Sequence, residues 1–357
     1  MSSNWGTNIE LSIFGESHGK AIGIVMGNLP AGIKLDMEEI KYQMKRRAPG
    51  LDKMSTPRKE KDEVEIMSGI LDGVTTGAPL CAMIYNSDQH SKDYSLLKEC
   101  MRPGHSDYPA YIKYEGFNDV RGGGHFSGRI TAPIVFAGSV AKQILKQKGI
   151  VIGAHIQSIK DIKDDRFPIN VDETLIHEML KQHYPTLKKG IFDKMQEVVE
   201  EARMNQDSVG GMIECAILNV PTGLGNPFFD SIESHLSPLL FSIPAVKSVS
   251  FGLGEEITEL YGHQANDEYY YDGDSVKTKT NHNGGIIGGI TIGMPLIFSV
   301  GIKPTSSISR LQQTINIKTK ENTDLEIKGR HDPCIVPRAV VVVESMAALG
   351  ILDIINK

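Results

Sequence analysis

A mixed fold, with helices and strands both distributed along the whole chain, is what this 357-residue sequence predicts. Apolar residues recur at helical spacing, most clearly over 191–204, where Ile191, Met195, Val198, Val199 and Ala202 share one face. Apolar runs such as "IVIGAHIQSI" and "GGMIECAILNV" lie between the helical stretches and are short enough for strands. No internal repeat, low-complexity tract or Pro/Ser-rich linker interrupts the pattern, so one domain over residues 1–357 is expected.

In chain order, Asp36 opens the first helix, with Glu39 as capping-box partner and Met37, Ile40 and Met44 on one face. That helix ends before Ala48-Pro49-Gly50, and its last turn reads Lys45-Arg46-Arg47. These cations suit the negative pole of the helix dipole as well as they suit an anionic ligand. A second helix is expected from near Pro133 to the stop at Gly149, then a strand over "IVIGAHIQSI". The helix over 191–204 and the strand in "GGMIECAILNV" follow, then a helix within 228–240. Strands in "AVKSVSFGLG" and "GGITIGMPLIFSVGIK" precede a closing helix with Pro337 at its start. Two long Gly-rich segments, 102–129 and 261–289, show weak periodicity; loops of that length in a compact domain are functional or disordered, and their His and aromatic residues favour function.

Composition excludes several classes. The formal net charge of -6 argues against a general nucleic-acid surface. Basic residues nevertheless gather in the first 130 positions, including Lys45, Arg46, Arg47, Lys53, Arg58, Arg102, Arg121 and Arg129, a pattern that fits a small polyanionic ligand. Cys81, Cys100, Cys215 and Cys334 are widely spaced and suit reduced thiols. No basic-then-apolar leader and no apolar run near the roughly 20 residues of a membrane span occur, so a soluble, cytoplasmic protein without membrane association is expected.

The stretch "FGESHGK" superficially resembles a phosphate-binding loop. A Walker A loop needs four residues between its glycines and a Ser or Thr after the lysine; here three intervene and Ala21 follows Lys20. A nucleotide hydrolase is therefore disfavoured, and Glu16, Ser17 and His18 read instead as a proton-handling loop. A second dense stretch, 101–129, holds Arg102, His105, Asp107, the triplet Gly122-Gly123-Gly124, His125, Ser127 and Arg129. A Gly triplet allows close backbone approach, and flanking guanidiniums offer the fork that suits phosphate or carboxylate, although glycines also simply make turns. "NHNGGIIGG", "KPTSSISR" and "KGRHDPCIVPRA" add three more polar, Gly-flanked clusters. The histidines lack metal-ligand spacing, no strand leads into a dinucleotide fingerprint, and no aromatic-basic RNA-binding stretch occurs, so no metal and no nucleic-acid partner are expected.

Taken together, "FGESHG", "RRAPG", "RPGHSDY", "RGGGHFSGR", "NHNGGIIGG", "KPTSSI" and "KGRHDPC" resemble, in order and spacing across essentially the whole chain, the chorismate synthase family. The resemblance implies an α+β fold, a single-domain β-α-β sandwich with sheets enclosing helices, assembled as a homotetramer. It implies a lyase acting on 5-enolpyruvylshikimate 3-phosphate, which loses phosphate by anti 1,4-elimination to give chorismate, with reduced FMN as cofactor. No segment remains for a flavin reductase domain, so the monofunctional form is expected, with an external flavin reductant and NADPH as the candidate electron source. By motif, His18 with Ser17 would protonate the departing phosphate, His105 the reduced flavin, and Asp332 with Ser127 would help flavin N5 accept the substrate proton. Arg46, Arg47, Arg58, Arg102 and Arg129 match substrate-binding positions. His125, Phe126, Ser127, Pro244, Ala245, Gly288, Lys303, Pro304, Thr305, Ser306, Ser307 and Arg330 match FMN positions. The chain departs from the common family pattern at His125-Phe126, where "RS" is usual, at Lys53, where arginine is common, and at Ala48, which interrupts an arginine run.

Overall fold

Period-two burial builds the first layer. The computed structural model describes residues 3–50, 62–86, 96–327 and 331–356. Strands β1 (Asn4–Trp5), β2 (Glu10–Gly15), β3 (Ala21–Gly27), β4 (Glu65–Ser68) and β5 (Leu80–Tyr85) form an antiparallel sheet in the order β1-β2-β3-β5-β4. Ile22, Ile24 and Met26 alternate inward on β3, and Leu80, Ala82 and Ile84 on β5, as a half-buried pleat requires. Of the two five-stranded sheets, this one was not anticipated from the sequence.

The second sheet contains β6 (Val151–Ile159), β7 (Ile162–Lys163), β8 (Gly211–Leu218), β9 (Val246–Phe251) and β10 (Leu296–Ile302), antiparallel in the order β9-β10-β8-β6-β7. Its central strand β8 is buried without a break from Ile213 to Leu218. Both of its faces are covered, which explains why it reads as a continuous apolar run.

Helices α1 (Met37–Arg47), α2 (Asp107–Lys113), α3 (Thr131–Lys146), α4 (Glu173–Leu180), α5 (Ile191–Met204), α6 (Ile232–Ser242) and α7 (Val336–Ile355) complete the main elements. Helix α3 packs on β3 and β5 of one sheet and on β6 of the other, while α7 packs on α3, α6, β6 and β8. The helical layer thus lies between the sheets. Helix α7 is buried from Val340 to Ile354 around its whole circumference, the mark of a core helix. Helix α4, missed in the sequence, covers the far face of the second sheet through Ile176 and Met179 against Ala216 and Leu218. No helix of the described residues is long and apolar enough to cross a membrane.

Two details differ from expectation. Asp36 does cap α1, accepting from the Glu38 and Glu39 amides at 2.9 and 3.1 Å. The reciprocal capping-box bond is absent, because Asp36 N donates to Gln143 Oε1 at 2.7 Å and the Glu39 carboxylate takes Gln43 Nε2 at 2.6 Å. Helix α3 begins at Thr131, two residues ahead of Pro133, so the proline occupies the third helical position, where its missing N–H is still one of the unsatisfied four.

Buried charges tie the layers together. Glu344 of α7 accepts both Arg46 Nη atoms at 2.7 and 2.8 Å, the Lys142 ammonium, and the Ala154 amide at 3.2 Å. Burial alone would raise its pKa, but the two cations outweigh burial and bring it down to about 2. Attraction to Glu344 overcomes burial at the Arg46 guanidinium, whereas burial, with the Arg46 charge, leaves the Lys142 pKa lowered. At the other end of α7, fully buried Asp353 accepts the backbone N–H groups of Thr7, Asn8 and Ile9 at 3.0, 2.7 and 2.8 Å.

Candidate active site

The last turn of α1 carries Arg47 to the wall of a cavity of about 450 Å³, within the roughly 300–1,000 Å³ usual for small-molecule sites. The other walls are residues 102–106 ahead of α2, the Gly-rich stretch 122–131, the turn at 243–245 after α6, the stretch 303–307 after β10, and the opening of α7. Long loops thus converge on one end of the helical layer, where a rigid frame holds each of them.

Arg47 Nε and Nη2 donate to Asp62 Oδ2 at 3.1 and 2.6 Å, and Arg129 Nη1 donates to Oδ1 of the same carboxylate. Burial would raise the Asp62 pKa, but Arg47 and Arg129 outweigh it and leave the group ionised below its ordinary value. Asp62 thus holds two guanidiniums that both line the cavity. Arg129 Nε also donates to Asn86 Oδ1 at 3.1 Å, and Asn86 Nδ2 donates to the Glu16 and Gly19 carbonyls at 3.0 and 2.8 Å. Asn86 therefore stitches the "GESHG" loop to the basic wall.

A second charged group is local in sequence. Asp107 accepts Arg102 Nε at 2.7 Å and Nη2 at 2.8 Å, and the His105 Nδ1 lies 2.7 Å from Oδ1. Burial opposes ionisation of Asp107, yet hydrogen bonds from Arg102 and His105 depress its pKa strongly. A carboxylate only accepts, so His105 carries its hydrogen on Nδ1 and Nε2 is the ring atom able to exchange a proton. Arg102 Nη1 reaches across to Ser307 Oγ at 3.1 Å, joining this loop to the 303–307 stretch.

The Gly triplet shapes the site through its own packing. Gly122, Gly123 and Gly124 have φ of 58, 83 and 55°, a run in the left-handed region that side chains resist. A Cβ on Gly122 would lie 2.4 Å from the His18 ring and 2.8 Å from Ser17 Oγ, and one on Gly124 would lie 2.2 Å from the Asp119 carbonyl oxygen. His18 and Ser17 are buried behind this backbone, with Ser17 Oγ 3.2 Å from His18 Nδ1. Ser127 and Phe126 line the cavity itself.

On the opposite wall, Lys303 Nζ donates to the Gly104 carbonyl at 2.9 Å, and burial followed by the Lys247 charge lowers its pKa. Pro304, Thr305, Ser306, Ser307, Pro244 and Ala245 continue this wall. Thr305 Oγ1 is buried with no hydrogen-bond partner among the described residues. Asp332 faces the same space and accepts Arg338 Nη1 at 2.6 Å.

Some expected site residues lie elsewhere. Arg46 is not on the cavity wall, because Glu344 engages both of its terminal nitrogens inside the helical layer. His125 turns away, its Nδ1 2.7 Å from the Gly15 carbonyl and its Nε2 2.9 Å from Ser3 Oγ. Gly288 sits in the exposed turn of the hairpin Ile286–Ile287 and Ile290–Thr291, where φ of 62° at Gly288 and 81° at Gly289 explains the glycines. Arg58, Arg330 and Lys53 lie outside the described residues. Sequence reasoning gave no role to Asp62, Asn86 or Arg338, and it noted Asp107 without seeing its partners. For Asp107 a signal existed, since it follows His105 by two positions and Arg102 by five.

Comparison with known proteins bears on this geometry. Residues 9–355 match the family described as chorismate synthase. Chorismate synthase of Thermococcus kodakarensis is 44% identical over 349 residues, covering 98% of this chain and 96% of that protein. That of Methanocaldococcus jannaschii is 43% identical over 367 residues, covering 100% of this chain and 97% of its own length. A crystal structure of chorismate synthase superposes with a TM-score of 0.76 at 28% identity, covering 98% of this chain and 92% of the other. A match over nearly the full length in sequence and in fold, around a basic cavity with proton-handling side chains, makes this chain a member of the chorismate synthase family.

Proposed function

We propose that this chain converts 5-enolpyruvylshikimate 3-phosphate into chorismate and phosphate by anti 1,4-elimination, as a carbon–oxygen lyase of the shikimate pathway and aromatic amino acid biosynthesis. The observation that carries the reading is that Arg47, Arg102, Arg129 and Lys303 share one cavity with His105 and Asp332. Such a set suits a small substrate bearing a phosphate and carboxylates next to groups that move protons.

The wall around Lys303 has the donors and surfaces that a reduced FMN requires. The unpartnered Thr305 Oγ1, the Ser306 and Ser307 hydroxyls and the Lys303 ammonium offer donors to a phosphate or an anionic ring, while Phe126, Pro244 and Ala245 offer an apolar surface. Burial disfavours the charged form of Lys303, so a bound anion would restore it. Held by these residues, a reduced flavin would supply electron density to the allylic system and recover it, which would keep the reaction redox-neutral.

The protein's part is charge, orientation and proton placement. Arg47, Arg102 and Arg129 would hold the substrate anions by forked contacts that their own carboxylate partners keep in place. His105, aligned by Asp107, would exchange its proton at Nε2. Asp332 with Ser127 would receive and pass on the proton from C6, and His18 with Ser17 would protonate the departing phosphate from beside Gly122. On the same family reading the protein is a cytoplasmic homotetramer that receives reduced flavin from an external reductant, with NADPH as the candidate electron source. One domain over residues 1–357 is supported by both sheets packing on α3.

Oxygen-free protein supplied with chemically reduced FMN is expected to release phosphate from 5-enolpyruvylshikimate 3-phosphate and to develop chorismate absorbance. Absence of both products with fully reduced flavin would reject the assignment.

A further inference from the structure

We infer that Arg338 is a positioning residue, which orients the Asp332 carboxylate and locks it to the C-terminal end of α1. The inference rests on the function proposed above, in which Asp332 handles a proton. Arg338 is the third residue of α7, and its guanidinium spans two cavity walls. Nη1 donates to Asp332 Oδ2 at 2.6 Å, while Nε donates to the Arg47 carbonyl oxygen at 2.9 Å. That carbonyl belongs to the last turn of α1, one of the acceptors that a helix end leaves without an intrahelical donor. A cation there also meets the negative pole of the α1 dipole. One planar fork therefore sets the distance between the acid on the 331–335 loop and the helix end that presents Arg47 to substrate.

The geometry calls for arginine. The Nε and Nη1 donors diverge at fixed angles from one rigid plane, so the carboxylate cannot rotate without breaking a bond that the helix end anchors. Lysine has a single nitrogen on a flexible stem and would satisfy one acceptor without fixing its direction relative to the other. Arg338 and Asp332 are both largely buried, with side-chain exposures of 20 and 14%, which limits competition from water for the pair.

The test is a double-mutant cycle on the full chain with reduced FMN. Arg338→Ala is expected to lower kcat by about 100-fold, the scale of a misplacement of about 1 Å, with KM for 5-enolpyruvylshikimate 3-phosphate changed less than about threefold. Arg338→Lys should recover part of the loss, and added guanidinium should raise the Ala variant's rate without raising that of wild type. Asp332→Asn combined with Arg338→Ala should be no slower than Asp332→Asn alone, because both changes remove one function. A double variant slower by the full product of the single losses, or an Arg338→Ala enzyme impaired in KM alone, would overturn the role. Should the Ala variant fail to fold, Arg338→Lys and Arg338→Gln in the same cycle decide the question by the same criterion. Wild-type turnover with additive losses would remove only the Arg338 inference; an inactive wild type would remove the functional reading and this inference together.

Discussion

Arg46 and Arg47 leave α1 about 100° apart and enter two different charge clusters, each joining cations to a buried carboxylate. Arg46 and Lys142 meet Glu344 inside the helical layer, and Arg47 and Arg129 meet Asp62 beside the cavity. The clusters differ in their surroundings. The first lies inside the helical layer, off the cavity wall, where burial together with the Arg46 charge lowers the Lys142 pKa. In the second, both cations are arginines, which do not deprotonate in proteins, and both line the cavity. A structural cluster is here one that the helical layer encloses, and a candidate binding cluster one that borders an open volume.

The sharpest break between the two regions is expected at His105, which belongs to the open side. His105→Ala should lower turnover by about 10²- to 10⁴-fold, the usual worth of a positioned acid or base, with little change in the urea unfolding midpoint. Near-wild-type turnover would remove His105 from the chemistry. On the closed side, Arg46→Ala leaves Glu344 buried without its bidentate partner and should lower unfolding free energy by about 3–5 kcal/mol. A loss of turnover at an unchanged unfolding midpoint would return Arg46 to the binding site. The same cluster has a pH signature. Glu344 has its pKa lowered from 4.5 to about 2 in the folded protein, so its stabilisation is complete above about pH 4.5 and is lost as pH falls toward 2. Wild type should therefore lose about 3 kcal/mol from this group over that acid range, and Glu344→Gln should flatten that limb of the stability profile. The smallest effect belongs to the far end of α1, where Asp36→Ala should cost about 1 kcal/mol through the lost cap. Turnover that fell together with this cap would mean that the helix transmits disorder from one end to the other, and the separation of the two regions would fail.

Much of the helical layer was legible in the sequence because it obeys a single period. The helix over 191–204 has those boundaries in the structure, since one apolar stripe meets the second sheet and Gly190 lies just outside its start. The first sheet escaped notice because glycines at positions 15, 23 and 27 dilute the alternation of β2 and β3. His105, Asp332, Arg47, Arg102 and Arg129, which the fold brings to one cavity, stood out in the sequence because they lie in or beside glycine-flanked polar clusters. Asp62 was not, since a carboxylate that pairs with arginines 15 and 67 residues away has no local pattern to betray it. Arg46 misled for the converse reason: beside Arg47 it shares a basic string, and only the helical turn sends it to a different partner.

The anchorage of residues 7–9 on Asp353 has a consequence for how the molecule comes into being. Thr7 and its acceptor are separated by 346 positions, so the amides leading into β2 gain their carboxylate only when segments far apart in the chain have been brought together. Closure over so long a span belongs to slow, high-contact-order folding. Until that contact forms the 7–9 segment stays unfinished, and the acidic side chain at position 353 acts as the clasp that ends that exposure.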